Sequence, residues 1–403
     1  MKNSKIVYKN FIKKKKFRSF KNLNKNYSNI LKNIILNLDT NKDVLHPLSK
    51  KFKLNFKTED LKKFKKYKNI SIIGMGGSIL GAEAIHLFLR KKIKKNITFF
   101  NNIDEEKIYT FKNKINIKKT LFIIISKSGG TIETISNILA LKILKKNSKN
   151  IIVITEKNNK SIYLLSKKMN LFHIEHKNYI GGRYSVLSEV GMLPAYLMGV
   201  NIKNLRKKIH THLDIKNKNF LKDSAIKLAH LFITKKLKTL VFFNYVPELN
   251  EFLYWCQQLI AESLGKEGKG FMPIISPAPK DHHSLLQLYL DGPKDKIFYI
   301  FSLDQAIKKK LSSKYLDNKF KFLNKKSLNQ IKKAQKNAFI KVLKKKDIPF
   351  REFKIKDLSE EILGELLSYF ILETAIIGKL ANINPYDQPA VEQVKYFTKK
   401  ILS

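Results

Sequence analysis

The chain has 403 residues, more than one hydrophobic core usually organises, so two domains of ordinary size are expected. Hydrophobic residues make up 43% and gather into strand- and helix-length runs, which excludes a disordered chain; the lone Cys256 excludes an intramolecular disulfide, and no Cys/His spacing suits zinc. The formal net charge is +48, yet only Arg18, Arg90, Arg183, Arg206 and Arg351 carry guanidinium, and lysine is spread from end to end; a nucleic-acid patch would be local and richer in arginine, so no specific nucleic-acid partner is expected.

Residues 1–67 are rich in Lys and Asn, with Phe, Leu and Ile at helical spacing, and read as a lysine-coated helical lead-in. The run Lys13 to Lys16 belongs to its solvated face. Met1 to Lys25 is basic but lacks the apolar stretch of a signal peptide, and no later run approaches the length of a membrane span. A cytoplasmic chain without membrane contact is expected. From Asn69 the pattern changes to β-branched runs, Ile70 to Ile73, Ile97 to Phe100, Thr120 to Ile125 and Ile151 to Thr155, separated by helix-length segments. Such alternation predicts a parallel sheet covered by helices on both faces, within a first α/β domain over residues 68–215. A second α/β domain, over 216–365, is expected from Thr239 to Phe243, a helix from about Pro247 to Leu264, and strands near Ile297 to Ser302 and Pro349 to Ile355. Residues 366–403 read as a helical segment broken at Asn384-Pro385 and restarted after Pro389.

The first of these strands runs into Gly74-Met75-Gly76-Gly77-Ser78 and then a helix beginning near Gly81, which brings free N–H groups and a hydroxyl to a helix N-terminus, an anion cradle. A dinucleotide fingerprint would need glycine where Ile79 stands, and no segment matches a P-loop. The strand Thr120 to Ile125 repeats the device as Ser126-Lys127-Ser128-Gly129-Gly130-Thr131. One such turn is ordinary punctuation; two at strand C-termini of a doubly wound sheet border the crevice where ligands bind.

Tyr179 to Gly191 reads YIGGRYSVLSEVG and places one of the five arginines, Arg183, in a turn, either as a required fork or as a contact to a carbonyl. The helix after Pro247 ends in QQLIAESLGK. There Glu262 stands four residues before Lys266, as in an ordinary surface pair, or else is a carboxylate at a helix C-terminus, where the dipole raises its basicity. Lys280-Asp281-His282-His283-Ser284 follows a proline-rich loop, Pro273 to Pro279; no second cluster completes a metal site, so an acid/base imidazole is the better reading. Asn384 to Lys395 reads NPYDQPAVEQVK, in which Gln388 and Lys395 can share a helix face, while Lys395 could also pair with Glu392.

Taken in order, GMGGS, SKSGGTIET, GGRYS, ESLGK, HSLLQLYLDGP and NPYDQPAVEQVK resemble the signatures of the glucose-6-phosphate isomerase family, in its short bacterial-type form, over nearly all the chain after residue 67. The resemblance implies an α/β fold of two flavodoxin-like, doubly wound parallel-sheet domains of the sugar-isomerase (SIS) type, with helical N- and C-terminal segments. It also implies a homodimer in which His283 reaches the partner's site, and interconversion of glucose 6-phosphate and fructose 6-phosphate with no cofactor and no metal. By position, Glu262 matches the base that moves a proton between C1 and C2, Arg183 the guanidinium that stabilises the cis-enediolate, and His283 with Lys395 the ring-opening pair. Gly77, Ser78, Ser126, Lys127, Ser128 and Thr131, with Gln258 and Gln388, match phosphate and sugar contacts. Three departures stand out: His282 fills a place more often held by Gln, Gly130 stands where many members have threonine, and the chain is short, without the long terminal extensions of larger members. The rival readings are a non-catalytic sugar-phosphate-binding regulator on the same fold and an isomerase that also accepts mannose 6-phosphate.

Overall fold

The computed structural model describes residues 5–13, 19–40, 42–214, 220–304, 309–312, 314–315 and 317–403. The strands are β1 (Ile6–Asn10), β2 (Asn69–Ile73), β3 (Asn96–Phe100), β4 (Thr120–Ile125), β5 (Ile151–Thr155), β6 (Phe172–Glu175), β7 (Thr239–Asn244), β8 (Met272–Pro277), β9 (Lys296–Leu303) and β10 (Phe350–Ile355). Isoleucine-rich runs form the inner strands: every residue of β4 and β5 is buried, as expected for parallel strands covered on both faces. Each fully buried isoleucine contributes about 1.5–3 kcal/mol relative to exposure, so these runs have no comparable alternative.

The first sheet is wholly parallel, in the order β3-β2-β4-β5-β6. That is the flavodoxin-like winding, in which the chain first steps outward from β2 to β3 and then returns to the other side of β2. The second sheet has the order β1-β10-β9-β7-β8, and β7 to β10 repeat the same winding in parallel. Each sheet therefore has a crevice where the winding reverses, between β2 and β4 in one and between β7 and β9 in the other.

Two segments differ from the sequence reading. The lead-in is not helical throughout: β1 pairs antiparallel with β10, from Ile6 opposite Ile355 to Asn10 opposite Arg351, and occupies the edge that a fifth parallel strand holds in the first sheet. Its burial alternates, as suits an edge strand with one covered face. Lys14 to Lys16 lie outside the described residues. The proline-rich loop, in turn, is strand β8 as far as Pro277; β8 is the other edge of the sheet, where proline's missing N–H leaves no inner hydrogen bond unmade.

Between the sheets lies a continuous core that joins residues of both, including Ile70, Leu121, Leu240 and Ile297. Its axis is the helix Glu360–Leu380, nearly all buried, and the expected division at 365/366 falls inside it. Gly364 permits its closest packing, since a β-carbon there would lie 1.7 Å from the carbonyl oxygen of Leu205. The helix Asn250–Leu264 packs against both this helix and Leu80–Phe88, which brings the end of the helix that follows β7 to the first sheet's crevice.

Candidate active site

The two glycine-rich turns leave neighbouring strands, β2 and β4, on either side of the first crevice. Gly76 takes a left-handed φ of 51°, which folds Gly76–Ser78 into one tight turn ahead of the helix Leu80–Phe88. Gly77 is buried against GGRYS: a β-carbon would stand 2.2 Å from the carbonyl carbon of Gly182 and 2.5 Å from the amide nitrogen of Arg183. Gly77 thus sets the distance between two loops, and Ser78 follows it half-buried.

In the second turn the buried Ser126 hydroxyl lies 3.1 Å from the Thr131 hydroxyl and accepts the Gly129 N–H at 3.2 Å. Ser128 and Gly130 are exposed, whereas Lys127 and Thr131 are half-buried. A β-carbon on Gly130 would meet nothing within 4 Å, so this departure from the family pattern removes a hydroxyl without a steric cause. Lys127 is 3.8 Å from Glu156. Burial lowers the Lys127 pKa, Glu156 opposes that, and the charge of Arg183 adds to it, so Lys127 and Arg183 sense one another across the crevice.

Arg183 is 2% exposed, and its five N–H groups find five acceptors. Nε donates to Ser263 Oγ (2.8 Å); Nη1 donates to Glu262 Oε2 (3.1 Å) and Gln388 Oε1 (2.8 Å); Nη2 donates to the carbonyls of Pro385 (2.8 Å) and Asp387 (3.0 Å). The guanidinium ties the turn after the first sheet to the helix Asn250–Leu264 and to the NPYDQ segment. Both readings left open by the sequence are met at once: the guanidinium uses its whole fork, and two of its five contacts are to carbonyls.

Glu262 is not paired with Lys266. Its Oε1 accepts from Gln258 Nε2 at 2.8 Å, one helical turn earlier, and its side chain remains 32% exposed to the crevice. Lys266 reaches the Asn384 carbonyl and Asp387 Oδ1 instead (the latter at 2.5 Å), and that bond holds the Asp387 carboxyl below its usual range. Gln258 also abuts the first cradle, because a β-carbon on Gly76 would lie 2.9 Å from its Nε2.

Sequence reasoning missed the supports of this cluster. Ser263, next to Glu262, accepts from Arg183 and lies 2.9 Å from the Tyr184 hydroxyl, which also donates to the Pro385 carbonyl at 3.0 Å. Burial pushes the Tyr184 phenol up to about 12, so it stays a neutral donor. Trp255, the only tryptophan in the sequence, holds the Arg183 carbonyl through its indole N–H at 3.2 Å. Each is a neighbour of a motif residue or a unique residue type, which were the available signals.

The two histidines separate cleanly. His282 Nε2 is 2.7 Å from the Tyr245 hydroxyl and its ring packs on Phe243 and Phe339. Burial, and then the charge of His283, lower its pKa. His283 is exposed. Asp281 fixes the turn that carries both, accepting from Ser276 (2.7 Å) and Ser284 (2.8 Å). No hydrogen bond joins His283 to Arg183 or Glu262 within the chain.

Lys395 also stands apart. It pairs with Glu392 at 2.7 Å on the helix Glu392–Leu402, whose side chains are nearly all exposed, and is itself 64% exposed. The single chain therefore assembles Arg183, Glu262, Gln258, Gln388 and the two cradles, and leaves His283 and Lys395 outside. Among the described residues no group of three or more His, Cys, Asp or Glu side chains is placed to hold a metal ion, and no helix is long and apolar enough to cross a membrane.

A profile described as phosphoglucose isomerase matches residues 31–403. A glucose-6-phosphate isomerase of Methanocaldococcus jannaschii is 34% identical, over 84% of this chain and 86% of its own. Among solved structures, a hypothetical protein from Thermus thermophilus superposes with a TM-score of 0.82 at 24% identity, covering 96% of both chains. A glucose-6-phosphate isomerase from Chlamydia trachomatis does so with a TM-score of 0.77 at 19% identity, covering 99% of this chain and 89% of its own.

Proposed function

The chain belongs to the phosphoglucose isomerase family, and from that membership we propose the residue roles by which it interconverts glucose 6-phosphate and fructose 6-phosphate. The observation that carries the assignment is the Arg183–Glu262 pair: a carboxylate oriented by two donors yet open to the crevice, beside a buried guanidinium. The cradles at Gly77–Ser78 and Ser126–Thr131 hold the phosphate and orient the sugar, with Lys127 supplying charge. Such positioning lowers the entropic part of the barrier.

Glu262 takes the proton from C2 of the open-chain aldose while the C1 carbonyl oxygen gathers charge, giving a cis-enediolate. The same carboxylate then returns the proton to C1, while the C2 hydroxyl passes its proton to O1 and the C2 oxygen becomes the carbonyl. Arg183 has no spare N–H, so its contribution is a fixed positive charge in a water-poor pocket, where electrostatic stabilisation of a developing oxyanion is strongest. Gln388, whose Oε1 is held by Arg183, keeps its amide N–H groups for a sugar oxygen.

His283 and Lys395 open the ring, one at the ring oxygen and the other at O1. Their exposure supports a homodimer: the rigid turn that carries His283 presents it outward to a second copy. The helix Glu392–Leu402 bears an uncovered stripe of Val394, Phe397 and Ile401 whose docking brings Lys395 toward Gln388. The chemistry needs acids and bases only, and the buried, unpaired Cys256 fits work in the cytoplasm.

The test is conversion of fructose 6-phosphate by purified protein without added metal, repeated with Glu262→Gln. Loss of general-base catalysis predicts a fall of about a hundred- to ten-thousandfold in kcat, with substrate binding retained. Wild-type protein that binds but does not turn over substrate would support the regulator reading instead. Parallel assays with mannose 6-phosphate set the breadth of substrate choice.

A further inference from the structure

The second sheet has a crevice of its own, where its winding reverses between β7 and β9, and the active-site residues do not occupy it. A cavity of about 220 Å³ opens there, lined by Tyr245 after β7, by Ser302 to Asp304 at the end of β9, by Lys354 of β10, and by the first turns of the helix Leu328–Lys345. Ser302 is only 8% exposed, lines this cavity, and its hydroxyl has no hydrogen-bond partner. A buried hydroxyl left unpaired costs about 1–3 kcal/mol, so it asks for a ligand atom.

The rest of the wall is cationic. Lys332, Lys333, Lys336 and Lys354 face the cavity. Lys336 is answered by Glu352 and Lys354 by Asp304 at 2.9 Å, while neither Lys332 nor Lys333 forms an ion pair among the described residues, Lys333 acting on Asp304 only at longer range. Two positive charges remain unbalanced. The helix beginning at Leu328 adds the positive end of its dipole; Ser327 and Gln330 cap one another, and the N–H groups of Leu328 and Asn329 precede the first intrahelical bonds.

We propose that this cavity is a second anion site, distinct from the sugar-phosphate cradles, which binds a small phosphorylated molecule or free phosphate through Ser302, Lys332, Lys333 and the N-terminus of the helix Leu328–Lys345. A phosphate monoester carries close to two negative charges at neutral pH, which matches the charge left over, and its oxygens accept from hydroxyl, ammonium and amide donors alike.

Limited lysine acetylation read by mass spectrometry tests this residue by residue, at constant ionic strength set with chloride. Inorganic phosphate and glycerol 3-phosphate are compared as probes. The expected result is that phosphate slows acetylation of Lys332 and Lys333 by about threefold or more, while exposed lysines remote from the cavity, such as Lys32 and Lys119, are unchanged. Protection by both probes identifies a site for phosphorylated molecules, and protection by inorganic phosphate alone one for the free ion. Lys127 reports separately on the active-site cradle. In Ser302→Ala, protection of the two lysines should need about tenfold more phosphate, equivalent to about 1.4 kcal/mol. Lys333→Met, an exposed position, should weaken binding likewise and leave isomerase kcat at its wild-type value. Equal acetylation of Lys332, Lys333, Lys32 and Lys119 with and without phosphate would overturn the proposal.

Discussion

Replacing Arg183 by lysine keeps the charge and removes the fork. Lysine offers three N–H groups to five acceptors, so at least two bonds vanish. Charge-assisted bonds contribute about 1.5–3 kcal/mol each, giving a loss of about 3–6 kcal/mol shared between ground state and transition state. The ammonium also sits on a flexible stem and no longer fixes Glu262 and Gln388 at once. If half of that loss is felt in the reaction, about 1.5–3 kcal/mol, kcat falls by about ten- to a hundredfold. KM should change by only about a few-fold, because the phosphate cradles are untouched. A coupled assay in the fructose-to-glucose direction gives both constants. Hydrogen exchange supplies an independent readout: the peptide holding Tyr386 to Gln388 loses its anchor at the Pro385 and Asp387 carbonyls and should exchange faster. An Arg183→Lys protein with kcat within about threefold of wild type and unchanged exchange in that peptide would refute the clamp.

His283→Ala should lower kcat by about a hundredfold or more, whereas His282→Ala should mainly lower stability, by about 1–3 kcal/mol, through loss of its Tyr245 bond and aromatic packing; activity and urea titrations on both separate the roles. Gly77→Ala should abolish activity, since its β-carbon would meet the Gly182 backbone at 2.2 Å, while Gly130→Thr should fold normally with KM unchanged or lower. Burial of Glu83, with the charge of Glu251 adding to it, raises its pKa to about 7. The folded state thus holds this proton more tightly than the unfolded state; the stability it contributes is full below about pH 4.5 and is lost as pH rises to about 7. Glu83→Gln, which can still bond Asn101, should gain on wild type by up to about 3 kcal/mol between pH 5 and 7.5 in urea unfolding.

Much of this architecture is legible in the sequence because the inner strands are unmistakable: β4 and β5 coincide with the expected runs residue for residue, and β2, β7, β9 and β10 to within a residue or two. The strands that escaped, β1, β6 and β8, are all sheet edges. An edge strand covers less apolar surface and tolerates lysine and proline, so its signal is weaker; the fourth edge, β3, was found all the same because it keeps the apolar run Ile97 to Phe100, interrupted only by Thr98. Arginine scarcity flagged Arg183, but it was not specific to the site. Arg206 donates to the Leu187 and Pro47 carbonyls, and Arg351 grips Glu373 with both Nη atoms in the core, so guanidinium also stands where only the fold uses its fork. Glu262 was readable as a candidate; its true partner was not, because Lys266 lies four residues away and Arg183 is seventy-nine residues distant. Lys395 and His283 gave no such check, because both are exposed in the single chain, Lys395 paired only with Glu392.

The antiparallel pairing of β1 with β10 has a bearing on how the protein is made. The first sheet is built from a contiguous stretch and can close while the rest of the chain is still being synthesised, but β1 must wait for a partner that begins at Phe350. At ordinary elongation rates that interval is about 17 to 70 s. Throughout it a strand with an unmet edge is on offer to any other nascent or unfolded chain. The lysines around it, at Lys5, Lys9 and Lys13, then serve a purpose before the native state exists: like charges keep such strands apart until the ribosome delivers the one they are meant to join.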